Sequence, residues 1–150
     1  MPEDIQLSDS DGVFLVKTAR MAVTGFLSNG NRLKLESERE EKFSFNSGVF
    51  VTLNNPDGLR GCIGFPMPEK KLSHAVVEGA IAAATEDPRF PSVKINELND
   101  IVFEVTVLTP PVEITVTDPM EYLKKIKVGR DGLIIRNSFS SGLLLSLIHI

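Results

Sequence analysis

The side chains with the most chemical capacity in this 150-residue chain fall in one hexapeptide, "LRGCIG" at residues 59–64. It carries the only cysteine, with Arg60 two residues before it, Gly61 beside it and Gly64 two residues after. A thiol attacks as the thiolate, and a guanidinium beside it favours that form. In an extended strand residues 60 and 62 project from one face. The spacing therefore predicts Cys62 as a nucleophile and Arg60 as the stabiliser of its thiolate or of a bound anion. Gly61 and Gly64 bare the backbone, so a ligand or a second chain can approach there. The competing reading makes Cys62 a small buried residue and the glycines the accommodation of a bulge.

Two further residues bear on that choice. Arg89, in "DPRFP", sits between prolines that hold the chain in a fixed path, where a guanidinium can take a carboxylate or phosphate; its alternative is an internal pair with Asp87. His74 shares a helix face with Lys71 and Glu78, which reads as a solvated polar face rather than as a base for Cys62. Other chemistry is not written here. There is no phosphate-binding G-x-x-x-x-G-K-[ST] loop, no G-x-G-x-x-G and no G-x-S-x-G elbow. One cysteine and two histidines supply no zinc-type ligand set. The expectation is no metal and no cofactor.

Composition narrows the class. A hydrophobic share of 42% and a charged share of 24% are those of a globular domain. A net charge of −4 gives no general attraction to nucleic acid or anionic lipid. A single cysteine fits a reducing compartment, the acidic start is no secretory leader, and no apolar run is long enough to span a membrane. The reading is a soluble cytoplasmic protein with no membrane association.

The elements that must position the hexapeptide follow from periodicity. Residues 9–30 predict an amphipathic helix capped by Ser10 or Asp11, with Leu15, Ala19, Ala22 and Phe26 on its inner face and Gly30 as its stop. The charged stretch 32–43 reads as a connector or short exposed helix. "GVFVTL" at 48–53, the turn residues 54–58 and the returning hexapeptide predict a hairpin. A second helix opens after Pro68 and buries Leu72, Ala75, Val76, Gly79, Ala80 and Ala83. Ile101, Phe103, Val105 and Val107 alternate on a strand that Pro110 and Pro111 break before Val112 to Val116. Asp118 and Pro119 start a short helix, and a hairpin is expected through Arg130, Asp131 and Gly132. Helices and strands mix without a βαβ repeat, so the class is α+β.

These segments also carry a resemblance. "LVKTAR" at 15–20, "GVFVTL", "LRGCIG", "DPRFP" at 87–91, "EVTVLTP" at 104–110 and "GRDGLII" at 129–135 are similar, in this order, to the AMMECR1 family. The likeness runs from about residue 7 to 144. It implies a two-lobed α+β fold with an antiparallel sheet and packed helices, the larger lobe built from both ends of the chain and the smaller inserted between. It implies that the hexapeptide is the functional site, which carries Arg60, Gly61, Cys62 and Gly64 over as candidates. It also implies Memo-like and radical-SAM proteins as partners, and a role in RNA or nucleotide modification. Family members continue after "GLLL" with a further strand and helix, whereas this chain departs at Leu145 and ends on an apolar run with no cap or polar tail. The expectation is a single domain over 1–150 broken off near residue 144, with 145–150 a non-native tail in which His149 carries little weight. Two functional readings stand side by side: a Cys62-dependent enzyme, with Arg89 holding an anionic substrate group, and a non-catalytic adaptor that docks a protein through the hexapeptide.

Overall fold

Val49, Val51 and Leu53 alternate with Phe50 and Thr52, and this period of two builds the centre of the fold. The first three are fully buried. They lie on β1 (Gly48–Asn55), the middle strand of an antiparallel sheet ordered β2-β1-β3, with β2 at Gly58–Phe65 and β3 at Val102–Leu108. The computed structural model describes residues 6–35 and 37–145. Each large aliphatic side chain buried this way contributes roughly 1.5–3 kcal/mol, so β1 fixes which face of the sheet is inside. The class is α+β, as the sequence implied.

Two helices cover the inner face. α1 (Asp9–Asn29) packs on β3 and on α3 (Leu72–Thr85), and α3 packs on β1 and β2. The cap of α1 is Ser8, not Ser10 or Asp11. Its hydroxyl accepts from the Asp11 backbone N–H, and the Asp11 carboxylate accepts from the Ser8 N–H in return. Asp11 is also paired with Lys42 of the short α2 (Ser37–Lys42). Leu15, Ala19 and Ala22 are buried as the spacing requires, and Phe26 lies at the margin of the core. All six residues expected on the inner face of α3 are buried.

A 3-10 helix at Ile95–Asp100, which the local sequence does not announce, leads into β3. Arg20 of α1 holds that entry by donating to the carbonyls of Leu98 (2.9 Å) and Ile101 (2.5 Å), with its guanidinium over the Phe103 ring.

The chain divides at the two prolines into the units Met1–Pro110 and Pro111–Ile150. In the second unit Asp118 accepts from the Met120 N–H and Pro119 opens a single 3-10 turn that runs into α4 (Tyr122–Lys125). The stretch at 112–116 forms no regular structure, since the prolines before it cannot donate to a ladder and it meets no strand among the described residues. One expectation fails in this unit. The hairpin is not at Arg130 to Gly132. Lys127 and Asp131 close that stretch as a tight turn, and the pairing strands are β4 (Leu133–Arg136) and β5 (Ser141–Leu144), joined through 137–140. Of the tail expected at 145–150, residues 146–150, His149 among them, lie outside the described residues.

Candidate functional site

The hexapeptide lies on β2, and one irregularity decides what it presents. The turn at Pro56 and Asp57 is closed by the Asp57 N–H donating to the Asn55 side chain, and Gly58 takes a positive φ of 119° that favours glycine. From there Asn54 pairs with Leu59, but Leu53 pairs with Gly61. Arg60 is therefore the extra residue of a β-bulge. A bulge re-aims the side chain it inserts, and the alternation that would place Arg60 beside Cys62 does not hold across it.

Arg60 is directed elsewhere. It is buried, its Nε and Nη2 donate to the two carboxylate oxygens of Glu97 (3.0 and 3.2 Å), and its Nη1 donates to the Pro91 carbonyl (2.8 Å). The pair holds the Glu97 carboxyl below its ordinary range, chiefly through the Arg60 hydrogen bonds and then through the Lys94 N–H. Arg60 thus ties β2 to the segment before β3, and none of its nitrogens bonds the Cys62 thiol. The glycines are explained by approach, but what approaches is the chain's own backbone. A Cβ on Gly61 would sit 2.1 Å from the Ala83 carbonyl oxygen of α3, and one on Gly64 would sit 2.1 Å from the Val49 carbonyl oxygen of β1.

Cys62 occupies a different environment. It is half-buried and pairs with Thr52, whose side chain points away from the buried Val51 and Leu53. The Cys62 Sγ and Thr52 Oγ1 lie 3.3 Å apart, and either can donate. That closeness belongs to a pair whose main-chain groups turn away from each other, and the Cys62 N–H does point out of the sheet edge. There it donates to Asp87 Oδ2 at 2.9 Å. Glu104 lies in register on the far side of Thr52 and is exposed.

Asp87 enters the sequence reading only as a partner for Arg89. It is buried, and it also accepts from the Arg89 N–H (3.1 Å), Nε (3.0 Å) and Nη2 (2.8 Å). Its carboxyl is pushed far below the ordinary carboxylate range, above all by the Arg89 side chain and against the cost of burial, with the Cys62 and Arg89 N–H groups adding to the effect. The internal pair considered for Arg89 is thus formed. Even so, the Arg89 side chain stays 55% exposed, its Nη2 reaches to 3.5 Å from the Cys62 carbonyl oxygen, and its Nη1 makes no hydrogen bond among the described residues. Its pKa is raised, chiefly by Asp87 and least by the Cys62 thiol. His74 is exposed and bonded to Glu40 at 2.8 Å, so it takes no part here.

The structure therefore brings Cys62, Thr52, Asp87 and Arg89 together and sends Arg60 to Glu97. Thr52 and Asp87 are the members that sequence reasoning missed. Counting outward from the turn places Thr52 opposite Gly61 unless the bulge is known, and nothing local links residue 87 to residue 62. Among the described residues no group of three or more His, Cys, Asp or Glu side chains is placed to hold a metal, and no helix is long and apolar enough to cross a membrane.

This is an α+β protein whose antiparallel sheet carries two helices on one face and a cysteine on the other. The AMMECR1 family model matches residues 16–148, and the chain belongs to that family. A protein of Methanothermobacter thermautotrophicus is 50% identical over 139 residues, which is 93% of this chain and 72% of the relative. Protein MJ0810 of Methanocaldococcus jannaschii is 50% identical over 141 residues, covering 93% of this chain and 69% of its own length. The crystal structure of the uncharacterized protein PH0010 from Pyrococcus horikoshii superposes with a TM-score of 0.88 at 44% identity, over 94% of this chain and 71% of that one.

Proposed function

We propose that this protein is a thiol-dependent enzyme acting through the outer face of its three-stranded sheet, with Cys62 as nucleophile or as acceptor of an acyl or alkyl group. The observation that carries the reading is the setting of the thiol: half-buried, bonded to a hydroxyl, its main chain clamped by a buried carboxylate, and the exposed Arg89 guanidinium reaching the Cys62 carbonyl. In the step envisaged, Cys62 loses its proton to solvent. The sulfur forms a bond to an electrophilic carbon as the leaving group departs with its electron pair. Arg89 takes the stabilising role first given to Arg60. With a net charge of −4 the chain does not attract bulk nucleic acid, so the modification reading favours a nucleotide, or an RNA presented by Memo-like or radical-SAM partners.

The test is the rate of iodoacetamide alkylation of Cys62 against pH, by intact mass, with and without urea. The expected result is a native thiol that is alkylated faster than the unfolded one at the same pH, an advantage lost in urea. A thiol protected in the native chain and released by urea overturns the reading. The modification role predicts that a strain lacking the gene loses a modified nucleoside, restored by the wild-type gene and not by Cys62→Ser.

One observation favours the docking alternative. Asn54 pairs with Leu59 on one side and Val102 on the other, and both apolar residues are exposed. A partner captured by the wild-type chain and lost on Leu59→Glu or Val102→Glu supports docking. Dependence on Arg60 does not discriminate, since that side chain is committed to Glu97.

A further inference from the structure

We propose that Arg89, aimed by the buried Asp87, is an anion subsite beside Cys62, so that the site takes reactants carrying a carboxylate or phosphate close to the reactive atom. The inference rests on the thiol reading above and adds the class of substrate. Its basis is the asymmetry of the Asp87–Arg89 pair. The carboxylate is 2% exposed and accepts four hydrogen bonds, one from the Cys62 N–H and three from Arg89, so its charge is inside and saturated. The guanidinium is the outer pole. It is held in plane by a two-pronged contact, which removes most of the rotamer freedom a ligand would otherwise have to freeze. Its Nη1 makes no hydrogen bond among the described residues.

Arg60 shows what a wholly structural arginine looks like in the same chain. It also makes a two-pronged contact, to Glu97, but its side chain is 11% exposed and its Nη1 is closed by the Pro91 carbonyl. Arg89 is the exposed one of the two, and it is the one that reaches the backbone of Cys62.

The experiment compares iodoacetate with iodoacetamide as alkylating agents for Cys62 in the full chain. Both form the same carbon–sulfur bond and expel iodide, and only the first carries a carboxylate. A partly exposed charge contact shifts such a ratio by about threefold. The expected result is an iodoacetate-to-iodoacetamide rate ratio about threefold higher in the native chain than in urea, falling to the urea value in Arg89→Gln and largely kept in Arg89→Lys. In the wild type the excess also shrinks in high salt, which needs no variant and covers the case where Arg89→Gln loosens the segment. A ratio unmoved by both Arg89→Gln and salt, with native Cys62 reacting readily, overturns the inference and leaves the thiol reading intact. A native Cys62 closed to both reagents overturns the thiol reading, and the subsite with it.

Discussion

Gly61→Ala probes the apposition of β2 and α3 on which the position of Cys62 depends. The added Cβ would lie 2.1 Å from the Ala83 carbonyl oxygen and 3.1 Å from its carbon, where ordinary contact begins at 3.4 Å. Both obstacles are main chain, so no side chain can rotate aside, and the strand must lift from the helix. Overpacking of this kind costs typically 1–3 kcal/mol, and a backbone obstacle places the change at the upper end, about 3 kcal/mol. For a chain of this length that lowers the melting temperature by roughly 6–12 °C. Gly79→Ala is the paired control on the same interface. Its Cβ would meet the Val51 Cγ2 at 3.4 Å and the Ile63 carbonyl oxygen at 3.6 Å, which are ordinary contacts. Alanine in a helix interior is worth up to about 1 kcal/mol over glycine, so this variant is expected to be neutral or more stable. Urea unfolding followed by far-UV circular dichroism separates them. Equal midpoints for Gly61→Ala and the parent would refute the close approach of Gly61 to Ala83. A loss on Gly79→Ala as large as on Gly61→Ala would show that any bulk between helix and sheet is harmful, and that the carbonyl is not the cause.

Three further outcomes are expected. The Ser73 hydroxyl is buried and has no hydrogen-bond partner among the described residues, so Ser73→Ala removes an uncompensated desolvation cost and should stabilise the chain by up to about 1 kcal/mol, seen as a higher urea midpoint; a clear loss would reveal a partner for that hydroxyl. Asp11, lowered to about 2 by Lys42 and by Ser8, and Asp87 and Glu97, lowered by Arg89 and Arg60, have folded pKa values below their unfolded ones. Their stabilisation is complete above about pH 4–5 and is lost as pH falls through the folded values, so urea midpoints should decline from pH 4 to pH 2, and a flat profile there would contradict these ion pairs. Arg60→Lys keeps the charge but loses the fork on Glu97 and the bond to Pro91, costing roughly 1–3 kcal/mol; hydrogen exchange should accelerate at residues 91–97, and unchanged protection there would argue that the pair is incidental.

How far the sequence reaches can be read from individual residues. Val49, Val51 and Leu53 announce β1 because alternation is a local consequence of a half-buried sheet, and the small residues of α3 announce its close packing. Arg60 fails for a local reason of another kind: a bulge breaks the period of two, and neither glycine nor arginine marks on which side of it the register resumes. Asp87 fails because Cys62, whose N–H it accepts, is 25 residues away in the chain and nothing local links the two. The hairpin expected at Arg130 to Gly132 shows turn chemistry recognised correctly and assigned to the wrong job, since a closed turn there precedes the strand pair instead of joining it.

The structural reading of the hexapeptide applies to three of its residues, Arg60, Gly61 and Gly64. Gly61 and Gly64 are where other backbone comes within a Cβ of the strand, and Arg60 bolts the strand to Glu97. Cys62 alone faces the outer side with a hydroxyl and a guanidinium in its neighbourhood. Substitutions at 60, 61 and 64 will therefore damage any activity by way of the fold, and such losses say nothing about chemistry. Cys62→Ser is the informative change, because it keeps a group that can bond Thr52 and removes only the nucleophilic sulfur. A chain that retains its stability and loses its function on that one exchange is what a chemical role requires, and a docking role predicts that both are kept.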